Sequence, residues 1–278
     1  MKNLLECNGE LVNINGHNIH IYRQGNIDKP KLVFMSGSAT VAPVYDFRVL
    51  YEKVANDFRI IVIEKFGYGY SDIFDSPGDI DSLVSTQKQA LDVIGENGPY
   101  ILMPHSMSGL EALRWKQIYP DDVSAIIGID MATPLSYRAW TNEKVARKIR
   151  LMEIATRYRL YGLFCPLNNR CLSSTEIKQH KLLRKRNAFN ICYINEASEV
   201  LKNSRAVSED EINKCPTLLF SSNGKQISQD WVENQREFAE LMGATLVSFD
   251  CGHYIHHYKS DEMRIAIIQF VKSLESHN

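Results

Sequence analysis

Three residues far apart in this chain have the types needed to act together on an acyl group: Ser106, Asp130 and His253. A serine hydroxyl is a weak nucleophile until a histidine takes its proton, and that histidine needs a carboxylate to hold its tautomer. Ser106 stands where the apolar run Tyr100-Ile101-Leu102-Met103-Pro104 passes through His105 into the helical pattern Ser108-Gly109-Leu110-Glu111-Ala112-Leu113. On so sharp a strand-to-helix turn the hydroxyl is lifted clear of the sheet edge. The first N–H groups of the helix then face a developing oxyanion. The alternative is a plain N-cap of a core helix, so the neighbouring elements must decide.

Those elements alternate. Leu11 to Tyr22 has period-two patterning on either side of Asn15-Gly16, which predicts a β-hairpin. Lys31-Leu32-Val33-Phe34-Met35 predicts a short buried strand ending at Ser36-Gly37-Ser38. The spacing of Val44, Phe47, Leu50, Tyr51 and Val54 predicts a helix. Phe58 to Ile63 is apolar throughout, as a parallel strand covered on both faces must be. A helix through Leu83, Val84, Gln87, Leu91 and Ile94 then leads into the strand before Ser106. Val123 to Ile129 predicts the next strand, with Asp130 at its end. Such alternation implies a parallel sheet with helices on both faces, and function is expected at the carboxyl ends of its strands. Ser38, Ser106 and Asp130 all fall there.

Taken together, these motifs resemble the α/β-hydrolase family. Pro104-His105-Ser106-Met107-Ser108 is similar to its G-x-S-x-G elbow, with Pro104 and Ser108 in place of the glycines and Gly109 one step late. Glu64-Lys65-Phe66-Gly67-Tyr68-Gly69-Tyr70-Ser71-Asp72 resembles its D-x-x-G-x-G-x-S-D loop, to which a structural role is assigned. Gly252-His253-Tyr254 resembles the turn carrying the catalytic histidine, ahead of a C-terminal helix marked by Met263, Ile267, Phe270 and Val271. The resemblance implies an α/β fold with a mostly parallel eight-stranded sheet. It implies Ser106 as nucleophile, His253 as base, and an oxyanion hole from the Ser38 and Met107 amides. Most of the family carries its acid after the seventh strand, where this chain offers only Asn223 or Asp230. Asp130, in Gly128-Ile129-Asp130-Met131-Ala132-Thr133-Pro134, resembles the alternative site used by pancreatic-type lipases. Its other reading is a structural turn residue. The expected chemistry is cleavage of a small-molecule ester or related acyl bond, without metal or other cofactor. A serine nucleophile sets the chain apart from the aspartate-nucleophile branches, the haloalkane dehalogenases and epoxide hydrolases. The alternative is a ligand- or partner-binding protein on the same fold, since fold does not imply turnover.

Between Pro134 and Lys214 the alternation stops and helical patterns take over. Residues 134–214 resemble the family's helical cap, inserted in a core made of 1–133 and 215–278. Ser173-Ser174-Thr175-Glu176 and Ser208-Glu209-Asp210-Glu211 both fit capping boxes. Trp140, Met152, Tyr158, Tyr161, Leu163 and Phe164 are candidates to line a pocket or to form the cap's own core. The segment holds 16 Lys and Arg against 8 Asp and Glu, a net charge of +8 that favours anionic substrates or simply marks solvated helix faces.

Composition bounds the rest. The chain has 278 residues, 44% hydrophobic and 23% charged, with a net charge of −1, so nothing in it draws nucleic acid. Arg184-Lys185-Arg186 is too short a basic run to change that. No apolar run approaches the ~20 residues that span a bilayer, and the first residues lack the apolar core of a signal peptide. The six cysteines, scattered singly, are expected to be reduced and mostly buried, as in a cytoplasmic protein. His17 and His20 are expected to face solvent on their strand. His256 and His257 follow His253 closely, yet no carboxylate or cysteine with metal-ligand spacing joins them in sequence. The oligomeric state is left open.

Overall fold

A computed structural model describes residues 7–160, 162, 165 and 167–276. Its centre is an eight-stranded sheet in the order β1-β2-β4-β3-β5-β6-β7-β8. The strands are β1 (Glu10–Ile14), β2 (His17–Gln24), β3 (Lys31–Met35), β4 (Arg59–Glu64), β5 (Tyr100–Pro104), β6 (Val123–Ile129), β7 (Thr217–Ser221) and β8 (Thr245–Ser248). β1 and β2 form the expected hairpin, with Asn15 and Gly16 at φ 51° and 88°, the left-handed pair that matches strand twist. β2 pairs antiparallel with β4, and every later pairing is parallel.

Both faces are covered. Alternate residues of β4 enter different cores: Ile61 and Ile63 join Trp115, Leu110 and Phe238 on one side, whereas Ile60 and Val62 join Leu50, Phe34 and Ile267 on the other. This double burial explains the unbroken apolar run. The first face carries α3 (Ile80–Val93), α4 (Ser108–Ile118) and α8 (Trp231–Met242). The second carries α2 (Arg48–Val54) and α9 (Ile255–Glu275). The helix expected over Val44 to Val54 is split at Phe47 into a single turn, α1 (Pro43–Asp46), and α2.

Between β6 and β7 the described residues contain helices and no strand: α5 (Asn142–Arg157), α6 (Ser174–Asn187) and α7 (Ile191–Glu209). The capping box at Ser173 and Glu176 is present. The one expected at Ser208 is not, because Ser208 lies in the last turn of α7 and its hydroxyl donates to Ser204 O. Tyr161, Leu163 and Phe164 lie outside the described residues. All six cysteines are free, but only Cys165 and Cys192 are buried; Cys7 and Cys171 are exposed, against expectation.

The loop after β4 ties these helices to the sheet. Asn187 donates to the carbonyls of Val41 and Gly69, and Asn190 to that of Gly67. Lys65 Nζ, fully buried, donates to Glu111 of α4 at 2.6 Å and Glu196 of α7 at 2.5 Å, while Tyr68 OH donates to Glu196. Glu64 accepts the N–H groups of Val44 and Tyr70 and meets His20 Nδ1 at 2.8 Å. A Cβ at Gly69 would stand 1.6 Å from the Glu64 carboxylate, so glycine is required there. His20 is therefore buried rather than solvent-facing, because the loop closes over its strand.

Two outcomes follow from these buried charges. Lys65→Met leaves two carboxylates facing each other without a cation and should cost roughly 3–5 kcal/mol, read from urea unfolding. A loss under about 1 kcal/mol would contradict the network's importance. Burial opposes charge on His20, but Glu64 outweighs it and raises its pKa to about 9. A pKa raised on folding stabilises the protein fully below the unfolded value near 6.5, and that contribution fades as pH rises to about 9. The urea midpoint should fall over that window, and His20→Gln should flatten the fall.

Candidate active site

Ser106 is the first residue after the β5 edge with a positive φ, 55°, in a residue type that rarely adopts it. The turn is clamped on both sides. Ser106 O accepts the N–H groups of Gly109 at 3.0 Å and Ala132 at 2.7 Å. A Cβ at Gly37 would lie 2.5 Å from Ser106 Cβ, and one at Gly109 would lie 2.1 Å from Ala132 O. Gly109, one step late in the motif, is thus the glycine the backbone approach demands. Ser108 replaces the other glycine and contributes: its hydroxyl accepts His105 N–H at 3.1 Å and lies 2.8 Å from Met35 O. Pro104 ends its strand, as its missing N–H requires.

Asp130 is fully buried, with φ 46°. Its Oδ1 accepts Ser222 N–H at 2.8 Å and Trp231 Nε1–H at 2.7 Å, and its Oδ2 lies 2.7 Å from His253 Nδ1. A carboxylate only accepts, so Nδ1 carries the ring proton and Nε2 keeps a lone pair. His253 N–H donates to Gln226 Oε1, and the Trp231 ring meets the imidazole edge-on at 5.9 Å. Ser106 Oγ has no hydrogen-bond partner among the described residues, His253 included. Asn223 donates to Asp250 and Asp230 precedes α8, so neither competes for His253.

Neither Ser38 N–H nor Met107 N–H has an acceptor among the described residues. Both residues and Ser106 line one cleft of about 150 Å³ that opens to solvent. Its other walls include Trp140, Met152, Ala197 and Val200 from segment 134–214, with Ile227 and Trp231.

His256 and His257 point elsewhere. Both direct Nε2 at Asp46, at 2.9 and 3.0 Å. A carboxylate therefore does join them, contrary to the sequence expectation, because α1 brings Asp46 against α9. The three donor atoms lie within 4.8 Å of one another. Burial raises the Asp46 carboxyl, but His257 and His256 outweigh it and hold it well below its usual range. Burial and His257 lower His256 to about 4, so it is a neutral donor. His105, beside Ser106, is also held well below its usual range, by burial and then by His253 and His256. Its Nε2 donates to His253 O at 3.3 Å and its ring packs 4.6 Å from that of His253. Sequence reasoning gave no signal for Trp231, Gln226 or Asp46, which act across the fold.

The sheet order and these comparisons give the α/β-hydrolase fold. The haloalkane dehalogenase DbeA of Bradyrhizobium elkani superposes with a TM-score of 0.73 at 15% identity, covering 97% of this chain and 99% of that one. The enol-lactonase of Burkholderia xenovorans gives 0.65 at 16% identity, covering 95% and 100%. In sequence, the uncharacterized protein YbdG of Bacillus subtilis (strain 168) is 29% identical over 286 residues, covering 98% of this chain and 88% of that protein. Epoxide hydrolase 1 of Caenorhabditis elegans is 22% identical over 227 residues, covering 73% of this chain and 55% of that protein. No protein-family model matches. No helix among the described residues is long and apolar enough to cross a membrane.

Trp231→Phe removes one of the three donors to Asp130 and should cost roughly 1–3 kcal/mol in urea unfolding. A change within about 0.5 kcal/mol would mean that Ser222 N–H and His253 satisfy the carboxylate alone.

Proposed function

We propose that the protein is a serine hydrolase that cleaves a carboxylic ester, or a related acyl bond, of a small molecule. The observation that carries this reading is the 2.7 Å contact between buried Asp130 and His253 Nδ1, which leaves Nε2 as the basic atom of a ring packed on His105, the neighbour of Ser106. His253 takes the Ser106 proton as Oγ attacks the acyl carbon. The charge that gathers on the carbonyl oxygen is met by the amides of Ser38 and Met107, which have no acceptor of their own. The tetrahedral adduct collapses, the leaving alcohol takes the proton back from His253, and the acyl group stays on Ser106. Water, deprotonated by the same histidine, then releases the acid and restores the hydroxyl.

Chemistry separates this reading from those suggested by two of the relatives' names. An alkyl halide or an epoxide reacts at a saturated carbon, and serine attack there gives an ether. An ether has no carbonyl for water to attack, so the enzyme would stop after one turnover. Only an acyl carbon gives an intermediate that Ser106 can shed. Segment 134–214 then acts as a cap, because its side chains wall the cleft above the serine.

A fluorophosphonate should label wild type stoichiometrically at Ser106, seen by intact mass, and leave Ser106→Ala unmodified. On p-nitrophenyl esters, Asp130→Asn should lower kcat by up to about 10⁴-fold through loss of the ring tautomer. Asn223→Ala and Asp230→Asn should stay within about tenfold of wild type, a barrier change near 1.4 kcal/mol. Asp130→Asn that is folded and near wild type in rate would overturn the assignment of the acid. Failure of the fluorophosphonate to react would overturn the nucleophile.

A further inference from the structure

The cleft above Ser106 has one charged residue among those lining it, Lys148 on α5. Its other walls are apolar, aromatic or seryl, and no carboxylate stands among them. Lys148 Nζ lies 4.3 Å from the centroid of the Trp140 ring, which is itself a wall of the cleft. Among the described residues Nζ has no ion pair and no hydrogen bond, whereas Arg138 and Lys202 of the same segment pair with Glu237 and Glu199. The residue as a whole is exposed, as one at a mouth must be to meet an entering molecule. Partial burial of the ammonium lowers its pKa.

From this arrangement, and resting on the acyl-cleavage reading above, we propose that Lys148 is a specificity residue. It selects substrates that carry a carboxylate at the end remote from the scissile acyl carbon. A cation over an indole face at the wall of an apolar cleft has no carboxylate from the protein, and a ligand carboxylate supplies what the protein does not. One cation matches one negative charge. A phosphate dianion would bring a second charge into an apolar cleft with nothing to neutralise it, so a monoanion fits better. The excess of basic residues across 134–214 adds attraction at longer range, while Lys148 gives that attraction an address inside the cleft.

The test uses mono-p-nitrophenyl adipate against p-nitrophenyl hexanoate, which match in length and differ in the terminal carboxylate. Wild type should prefer the adipate ester by about tenfold in kcat/KM, mainly through KM, the effect of one well-placed charge contact. Lys148→Met should abolish that ratio, and Lys148→Glu should reverse it. A ratio near one in wild type, or one that Lys148→Met leaves intact, overturns the inference. So does a stronger preference for the phosphono analogue of the same length. If wild type turns over neither ester, the acyl-cleavage reading fails instead. The inference is then decided by titrating adipate into Ser106→Ala and following tryptophan fluorescence. Saturation that is lost on adding Lys148→Met supports it, and absence of saturation overturns it.

Discussion

The constraint on which the rest of this molecule depends is how closely two backbones must pass at Ser106. β5 ends in the middle of the sheet, and α4 must start at once to return across its face. That is possible only with φ at 55° on a serine and with the Ala132 amide bonded to Ser106 O. A left-handed serine carries a conformational cost of order 1 kcal/mol or more, so the surroundings must over-determine it. They do so from two directions. Gly37 lets β3 end against the Ser106 side chain, and Gly109 lets the turn after β6 lie against α4. One strain, imposed by parallel topology, thereby brings the ends of β3, β5 and β6 to one point.

That convergence also explains the buried charges. Parallel strands direct their last carbonyls and side chains into one layer at the carboxyl edge, so polar groups collect where water is scarce. Each is satisfied there by partners from other elements. Asp130 takes donors from β7's end, α8 and the His253 turn. Asp46 takes His256 and His257, and Lys65 takes Glu111 and Glu196. An isolated buried charge would be intolerable, but a charge with two or three good hydrogen-bond partners costs far less. The layer is therefore stiff, and stiffness is what positioning a nucleophile and a base requires.

Sequence patterning made the strands, the hairpin and the strand-to-helix turn at Ser106 legible, because each has a local signature. Asp130 is preferred to Asn223 and Asp230 because Lys225 stands where an acid is usual and because its own turn resembles the alternative site; in the structure it meets His253 Nδ1. What stayed hidden has no local signature. Asp46 meets His256 across 210 positions, and Glu196 meets Lys65 across 131. His20 alternates like a solvent-facing strand residue, yet a loop forty residues later in the chain folds over it. The Ser208 motif was a capping box in sequence alone, since nothing local records that a helix is ending rather than beginning there. Ser108 looked like a departure from a glycine, but its hydroxyl binds the strand that a glycine would merely approach.

Trp231 joins the chemistry to the cleft. Its Nε1–H holds the Asp130 carboxylate, its ring stands edge-on to His253, and the residue lines the cleft. A ligand seated in the cleft therefore meets the side chain that holds the Asp130 carboxylate. Lateral movement of the indole would lengthen its 2.7 Å bond to Asp130 and loosen the carboxylate that holds the imidazole. A ligand that packs flat against the indole leaves that bond intact and leaves the imidazole where Asp130 holds it. The shape of the cleft and the hold on the imidazole thus involve the same residue. A wall contributed by the core is then more than a passive surface: it makes correct occupancy a condition for a correctly held histidine.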